Sequence, residues 1–305
     1  MAHLKKVIAV MILFLMAVNC KQNNDVKNGE TILEGKATIL IDESLLPVIQ
    51  DEVEIFETRY NAKITLVPKS EAEVLQSLLK DTSRIAILSR TLSENEIKSF
   101  QSKKITPKIT KFATDGIALI ANKSTKDTVI ALQDVIHFMQ QKPQSTIKGL
   151  VFDNPNSSTA RYINELAGIK SFPESGVFSF KTNDEVIKYV SENNGMIGIV
   201  GLNWLNNAKP EMRPYLDKIN VLSVKGDSSN SYNFPSQNNI AEGKYPLARD
   251  LYIVNCQGYS GLGMGFGSFI TGEIGQRIIL KAGLVPAYAP GRKILIRNDI
   301  ENNKK

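Results

Sequence analysis

Between residues 36 and 103, segments with the residue pattern of strands alternate with segments whose apolar residues follow the period of a helix. Three segments are rich in β-branched and apolar residues, which favours strands: KATILID, AKITLVP and SRIAILSR. Three further segments carry apolar residues at helical spacing: SLLPVIQDEVEIFETRY, SEAEVLQSLLKD and ENEIKSFQSK. The pairs Ser70/Glu73 and Ser93/Glu96, and further along the chain Thr182/Glu185, have the capping-box spacing that starts a helix. Alternating strands and helices predict a parallel sheet with helices on its faces.

The pattern from residue 110 onward extends this α/β layout. TKFATDGIALIAN predicts an extended run with an acidic turn in its middle, and GMIGIVGLNWL and LARDLYIVN predict strands. Helices are predicted for DTVIALQDVIHFMQ, ARYINELAGI, DEVIKYVSENN and, as one long final helix ended by Gly283, FGSFITGEIGQRIILKAG. A polar loop is predicted at 226–246. The chain of 305 residues is long enough for two domains, each with its own core.

The first twenty residues have a different pattern, with two lysines, an apolar run over 7–18, and Cys20. The run is too short to span a bilayer comfortably and has the layout of a secretory signal peptide. We therefore expect a lipoprotein signal at 1–19 and lipid attachment at Cys20; ordinary signal cleavage that leaves a free cysteine is the alternative. The polar residues 20–35 are expected to form a flexible tether.

Composition argues against several function classes. The formal charge of +6 falls to +4 without residues 1–19 and is scattered, so we expect a small anion rather than nucleic acid as partner. Cys256 has no disulfide partner if Cys20 carries lipid. Outside the signal, His137 is the only histidine, which leaves no basis for a Ser-His-Asp or zinc site. The glycine-rich stretch 258–269 lacks a nucleotide-loop pattern and favours helix packing. We expect no enzyme activity, cofactor or metal.

Hydroxyl residues stand where predicted strands give way to helices. Helix N-termini present free N–H groups and a positive dipole end, and ligands of open α/β sheets bind at the carboxyl ends of strands. A single serine there is an ordinary N-cap, but three consecutive hydroxyls after the short strand GLVFDN exceed what capping requires. The candidate anion-binding residues at these junctions are Ser44, Ser70, Ser89 with Arg90, and Ser157, Ser158 and Thr159.

With these residues assembled, the chain resembles the PstS-type substrate-binding proteins of bacterial phosphate ABC transporters. The likeness is carried by ESLLP, AILSRTLSENE, NSSTARYI, GMIGIVGLNWL, YPLARDLYIVN and EIGQRIILKAGLVP. The resemblance implies a two-lobed periplasmic-binding-protein fold, each lobe a mainly parallel sheet flanked by helices, joined by crossing segments. It implies lobe I at 36–115 plus 249–298 and lobe II at 116–248. It also implies a monomer at the cell envelope, anchored to a membrane through its N-terminal lipid, that delivers phosphate to an ABC permease.

The resemblance also implies which residues hold the anion: Ser44 with the backbone of Leu45, Ser70, Ser89, Ser157, Ser158 and Thr159. Asp153 stands where the family commonly has an arginine, so Arg161 or Arg90 is expected to replace it. Asp42 and Glu43 replace small residues of the first loop. These carboxylates either accept a proton from phosphate or repel an anion. The competing hypothesis is therefore a degenerate family member that binds another ligand or a protein partner.

Overall fold

The computed structural model describes residues 29–81, 83–142, 147–227 and 230–289. The predicted signal and the lipid attachment at Cys20 lie outside these residues. The strands are β1 Gly35–Asp42, β2 Ala62–Lys69, β3 Ile85–Leu88, β4 Lys108–Asn122, β5 Val129–Ala131, β6 Gly149–Phe152, β7 Val177–Ser179, β8 Met196–Gly201, β9 Ile219–Val221, β10 Ser223–Lys225, β11 Tyr232–Asn233, β12 Ala248–Asn255 and β13 Val285–Pro286.

Helices connect most of these strands. They are α1 Leu46–Arg59, α2 Glu71–Leu79, α3 Glu94–Ser102, α4 Leu132–Met139, α5 Ser158–Ala167, α6 Asn183–Glu192, α7 Leu202–Asn206, α8 Arg213–Leu216, α9 Gln237–Ala241, α10 Leu262–Thr271 and α11 Glu273–Lys281. Short 3-10 helices occupy Glu43–Leu45, Lys123–Thr125 and Pro210–Met212. The predicted capping boxes at Ser70, Ser93 and Thr182 are confirmed.

The main sheet has the strand order β2-β1-β3-β12-β4-β8-β6-β7. The strands β2, β1 and β3 are parallel to one another, as are β8, β6 and β7. The long strand β4 runs antiparallel to both β12 and β8 and links the two parallel groups. We call the part built on β2, β1, β3, β12 and the start of β4 lobe I, and the part built on the end of β4, β8, β6 and β7 lobe II.

Each lobe has its own apolar core. In lobe I the core lies on both faces of the sheet, around Phe56 and Phe266 on one face and Leu78 and Phe100 on the other. In lobe II one cluster extends around Phe152. The two-lobed α/β class is thereby confirmed, whereas the exact lobe boundaries at Asp115 and Arg249 stay a prediction.

Four sequence predictions of local structure were wrong. Asp115 makes no turn, because β4 continues through it with hydrogen-bonded neighbours on both sides. The helix predicted at 127–140 begins only at Leu132, after β5. The strand predicted at 195–205 ends at Gly201, where α7 begins. The single final helix is two helices, α10 and α11, that meet at Gly272 in extended conformation.

The glycine-rich stretch packs α10 against the chain entering lobe I. An added Cβ on Gly265 would lie 1.6 Å from the backbone oxygen of Ile32, whereas one on Gly267 would meet only the Ile253 side chain at 3.7 Å. This close approach requires glycine at position 265 and confirms the helix-packing interpretation over a nucleotide loop.

We therefore expect Gly265→Ala to lower the free energy of unfolding by about 2–3 kcal/mol, because backbone must move to admit the methyl group. The matched change Gly267→Ala, in the same helix, should be neutral or stabilising by up to about 1 kcal/mol, because alanine is the better helix former. Chemical unfolding of both variants measures the difference. Equal stability changes would show that the approach of Ile32 to α10 is not maintained in solution.

Candidate functional site

The carboxyl ends of the parallel strands in the two lobes face each other, and their loops meet there. In lobe I, β1 leads into the Glu43–Leu45 turn and β3 into Ser89. In lobe II, β6 leads into the loop before α5, and β8 leads directly into α7. Because ligands of open α/β sheets bind at such strand ends, the junction between the lobes is the candidate site.

Ser44 and Ser158 bring the two lobes into direct contact. Their hydroxyl oxygens lie 3.0 Å apart, and both side chains are fully buried. Ser44 also donates its hydroxyl to Asp42 Oδ2 at 3.0 Å, and its backbone N–H donates to Asp42 Oδ1. Ser158 is the first residue of α5. The structure thus brings together one predicted hydroxyl from each lobe.

Arg249, at the start of β12, joins this pair. Its guanidinium donates to the Ser158 hydroxyl at 2.6 Å and to the Ser44 hydroxyl at 3.1 Å. On the neighbouring strand, the directly paired Asp115 accepts from the same guanidinium at 3.1 Å, and both side chains are buried. A buried guanidinium beside two hydroxyls is suited to binding an oxyanion.

The hydroxyls of Ser157 and Thr159 have carboxylate partners. Ser157 is the N-cap of α5 and accepts from the backbone N–H of Ala160. Both hydroxyls donate to Asp153 Oδ1, from Ser157 at 2.5 Å and from Thr159 at 2.7 Å. Asp153, at the position where the resemblance implies an arginine, is itself almost fully buried. Of the three consecutive hydroxyls, only Ser158 contacts the guanidinium.

Two carboxyl groups of the first loop have strongly shifted pKa values. Burial, and then the charge of Glu71, raises the pKa of Asp42 from 3.8 to about 7. Burial, and then the charge of Asp153, raises the pKa of Glu43 from 4.5 to about 8. Asn183 of α6 donates its amide to Glu43 at 3.0 Å and to Asp153 at 3.2 Å. Shifts of this size mark groups that change charge near neutral pH.

The backbone of the first loop is held from lobe II. The carbonyl oxygen of Ser44 accepts from the Asn203 amide at 2.8 Å and from Trp204 Nε1 at 3.0 Å. Trp204 is the single tryptophan of the chain and is buried. Its ring nitrogen therefore contacts the opposite lobe while its ring lies in the core of lobe II.

Glu71 organises a second cluster at the edge of this junction. It accepts from Ser89 at 3.0 Å and from Arg161 of lobe II at 2.5 Å. Arg90 pairs with Glu96 at 2.7 Å and lies 3.7 Å from Glu71. The Arg90 guanidinium lowers the pKa of Glu96 to about 2. A cavity of about 380 Å³ opens beside this cluster and is lined by Glu71, Arg90, Ser157 and Arg161, among others.

Not all predicted site residues lie together. Ser44 and Ser158 meet at Arg249, whereas Arg90, Ser89 and Arg161 form the separate Glu71 cluster. Ser70 uses its hydroxyl on Glu73 within its own capping box. Leu45 is buried at the end of the 3-10 turn. In the described contacts, neither Arg161 nor Arg90 reaches the hydroxyls of Ser44 and Ser158 that Arg249 binds.

Sequence reasoning did not single out Arg249, which lies at the centre of this junction, nor Asn183 and Asn203. A signal for Arg249 was present, since it is one of two adjacent charged residues in the mainly apolar predicted strand LARDLYIVN. Charged side chains are almost never fully buried unless they are paired. The two asparagines stand just after helix caps or strand ends and gave no such signal.

The model of the PBP superfamily domain matches residues 28–273. The chain belongs to this superfamily. Solved structures of similar fold include a substrate-binding protein of Clostridium perfringens with bound phosphate, which is 20% identical with a TM-score of 0.67 over 83% of this chain and 100% of the other. An ABC-type phosphate transport receptor of Vibrio cholerae is 16% identical with a TM-score of 0.61 over the same shares.

PstS of Borrelia burgdorferi is 24% identical, with a TM-score of 0.50 over 83% of this chain and 99% of that protein. No protein of curated function matches this member of the PBP superfamily. At these identities, the structural likeness establishes the shared fold. Among the described residues, no helix combines the length and apolar character needed to cross a bilayer.

Proposed function

We propose that this protein is an extracytoplasmic receptor that captures a small tetrahedral oxyanion, with inorganic phosphate as the first candidate, by closure of its two lobes. The observation that carries the proposal is the guanidinium of Arg249, which donates to one hydroxyl from each lobe. An anion bound there would give the guanidinium a charged acceptor in place of the two neutral hydroxyls. Hydrogen bonds to an ionised group are about twice as strong as those between neutral groups. Binding would then favour the closed arrangement of the lobes.

The surrounding chemistry supports an oxyanion. Ser158 opens a helix of ten residues, so backbone N–H groups and the positive dipole end face the same place. The protonated carboxyls of Asp42 and Glu43 can donate hydrogen bonds, and as carboxylates they can accept the proton of a phosphate ion. The similar fold of the Clostridium perfringens protein, whose structure contains phosphate, supports the same ligand.

The cellular role follows from the family and the predicted N-terminus. Cys20 would carry lipid and hold the protein at the cell envelope, and an ABC permease would accept the ligand. The protein would act as a monomer and as a binding protein rather than an enzyme, without a cofactor. Transport itself would need a membrane permease and an ATPase as partners.

A second function is favoured by Asp153. Its buried carboxyl engages the hydroxyls of Ser157 and Thr159, which the resemblance assigns to the anion. Together with Asp42 and Glu43, it would repel a fully ionised anion if all three were charged. The alternative is a lipid-anchored family member that binds a different ligand or a protein partner without transporting phosphate.

Calorimetric titration of the chain from Lys21, freed of carried-over ligand, with phosphate and then sulfate tests the proposal. We expect micromolar or tighter phosphate binding and no sulfate signal. Thr159→Val should weaken phosphate binding at least about tenfold, because the bound anion would replace Asp153 as acceptor of this hydroxyl, and one buried charge-assisted hydrogen bond contributes about 1.5–3 kcal/mol. The absence of binding by either anion would refute the oxyanion proposal and favour the alternative. Unchanged affinity of Thr159→Val would remove this hydroxyl from the site.

A further inference from the structure

The end of lobe I opposite the candidate site carries a compact group of basic side chains. β3 and β4 begin at this end and β12 finishes there, because Asn255 pairs with both Ile85 and Lys108. Lys103 Nζ donates to the carbonyl oxygen of Leu79, which brings the ends of α2 and α3 together. We call this the basal surface and define it by five residues: Lys80, Arg84, Lys103, Lys104 and Lys108.

Few acidic side chains offset the positive charge of the basal surface. Its lysines are exposed, and none of them forms an ion pair with a described carboxylate. Asp81 is the acidic group among them and is bound by Arg84 through two hydrogen bonds of 2.8 and 2.9 Å. The surface therefore projects a positive field, which attracts a polyanionic partner at long range.

The N-terminal segment enters the fold beside the basal surface. Glu30 is buried and accepts from the backbone N–H of Leu262 at 2.5 Å and from the Tyr259 hydroxyl at 3.0 Å. Burial, and then the hydrogen bond to Glu30, raises the pKa of Tyr259, while the guanidinium of Arg84 acts on it in the opposite direction. The backbone N–H of Cys256 donates to the carbonyl oxygen of Arg84, which joins this corner to the basal surface. Glu30 thus fixes the start of the described chain at this corner of lobe I.

Two apolar side chains next to Glu30 are exposed. Ile32 and Leu33 have 43% and 41% of their surface accessible, although the Ile32 backbone packs against α10. Exposed apolar side chains beside a basic surface match the two layers of a membrane interface, acyl chains and anionic head groups. A soluble polyanion would use the charges but would leave the apolar pair unexplained.

We propose that the basal surface, with Ile32 and Leu33, rests on an anionic lipid bilayer. A fully extended segment from residue 20 to residue 29 spans at most about 35 Å, so lipid at Cys20 would keep this surface near the bilayer. The candidate site lies at the other ends of β1 and β3 and therefore faces away from the lipid in this orientation. The inference does not depend on which ligand the lobes bind.

Sedimentation of the chain from Lys21, which carries no lipid, with phospholipid vesicles tests the proposal. We expect binding to vesicles containing phosphatidylglycerol, weakening with added salt, and none to vesicles of pure phosphatidylcholine. Lys80→Gln/Lys104→Gln/Lys108→Gln should weaken binding at least about 30-fold, because each basic group near an anionic surface strengthens binding about fivefold. Ile32→Ser/Leu33→Ser should remove the apolar contribution to vesicle binding, which is the contribution that added salt does not weaken.

The matched control is Lys170→Gln/Lys181→Gln/Lys218→Gln, which removes the same charge from exposed positions of lobe II. We expect this control to bind within about threefold of the unchanged protein, and all variants to melt at similar temperatures. Equal weakening by both triple variants would overturn the proposal, since it would show attraction through net charge alone. Failure of the unchanged protein to bind phosphatidylglycerol vesicles would also overturn it.

Discussion

Replacing Arg249 by glutamine is expected to weaken phosphate binding by about 100-fold or more. Its guanidinium donates to Ser44 and Ser158 and is the buried cation at the point where the lobes meet. Loss of two charge-assisted hydrogen bonds at about 1.5–3 kcal/mol each corresponds to at least this factor. Calorimetric titration at fixed pH measures the change. Glutamine keeps a polar amide but is two atoms shorter than arginine, so it removes the charge, the fork geometry and part of the reach of the side chain.

The same substitution leaves Asp115 buried without its cation. Removing one partner of a buried ion pair costs about 3–5 kcal/mol of stability, so weak binding could reflect a damaged fold. Arg249→Gln/Asp115→Asn is the control, because it replaces the buried pair by two neutral amides. We expect this double variant to regain most of the stability and none of the affinity. Restored phosphate affinity in the double variant would show that Arg249 acts only on the fold.

Lobe closure without ligand is expected to depend on pH. Burial raises the pKa of Asp42 to about 7 and that of Glu43 to about 8, and groups of the opposite lobe, Ser158 and Asp153 among them, lie beside these carboxyls. Separated lobes would return both groups toward their ordinary values near 4. The closed state therefore binds more protons; its advantage is complete below about pH 4 and is lost as the pH rises through 7 to 8. Each proton released shifts the equilibrium about tenfold per pH unit.

Trp204 reports this change directly, because its Nε1 donates to Ser44 across the lobes and no other tryptophan is present. We expect its fluorescence emission to shift to longer wavelength between pH 5 and pH 8 in ligand-free protein. Asp42→Asn/Glu43→Gln should flatten the profile, since neutral amides do not titrate. Glu52, whose pKa burial raises to about 9, ionises above this range. An unchanged pH profile in the double variant would exclude these two carboxyls as the cause.

Local signals in the sequence were sufficient wherever a few neighbouring residues decide the structure. The capping boxes at Ser70, Ser93 and Thr182 were correct because their hydrogen bonds span only three residues. The helix break at Gly272 was missed, because apolar spacing continues across it while the backbone there is extended. Asp115 was predicted as a turn because acidic residues usually end strands, whereas Arg249 on the next strand makes its burial tolerable.

The candidate site shows the same difference between features that local sequence determines and features that depend on distant residues. Sequence alone identified hydroxyls at strand-to-helix junctions, and the structure placed Ser44 and Ser158 3.0 Å apart. It could not assign a cation to them, because Arg249 lies 205 positions from Ser44 and 91 from Ser158 along the chain. Nor could it show that Asp153 would take the hydroxyls of Ser157 and Thr159, because their partner depends on which groups are buried beside them.

The sequence by itself therefore determined the α/β class, the helix starts and the hydroxyl-bearing loops, since these depend on periodicity and short-range hydrogen bonds. The tertiary structure alone decided which charges share the buried junction between the lobes. That choice depends on strand order: the pairing of β12 with β4 sets Arg249 against Asp115, and the meeting of β1 and β6 at their carboxyl ends brings the hydroxyls to the guanidinium. Desolvation at this junction then sets the pKa values of Asp42 and Glu43, and it exists only once the lobes have folded against each other.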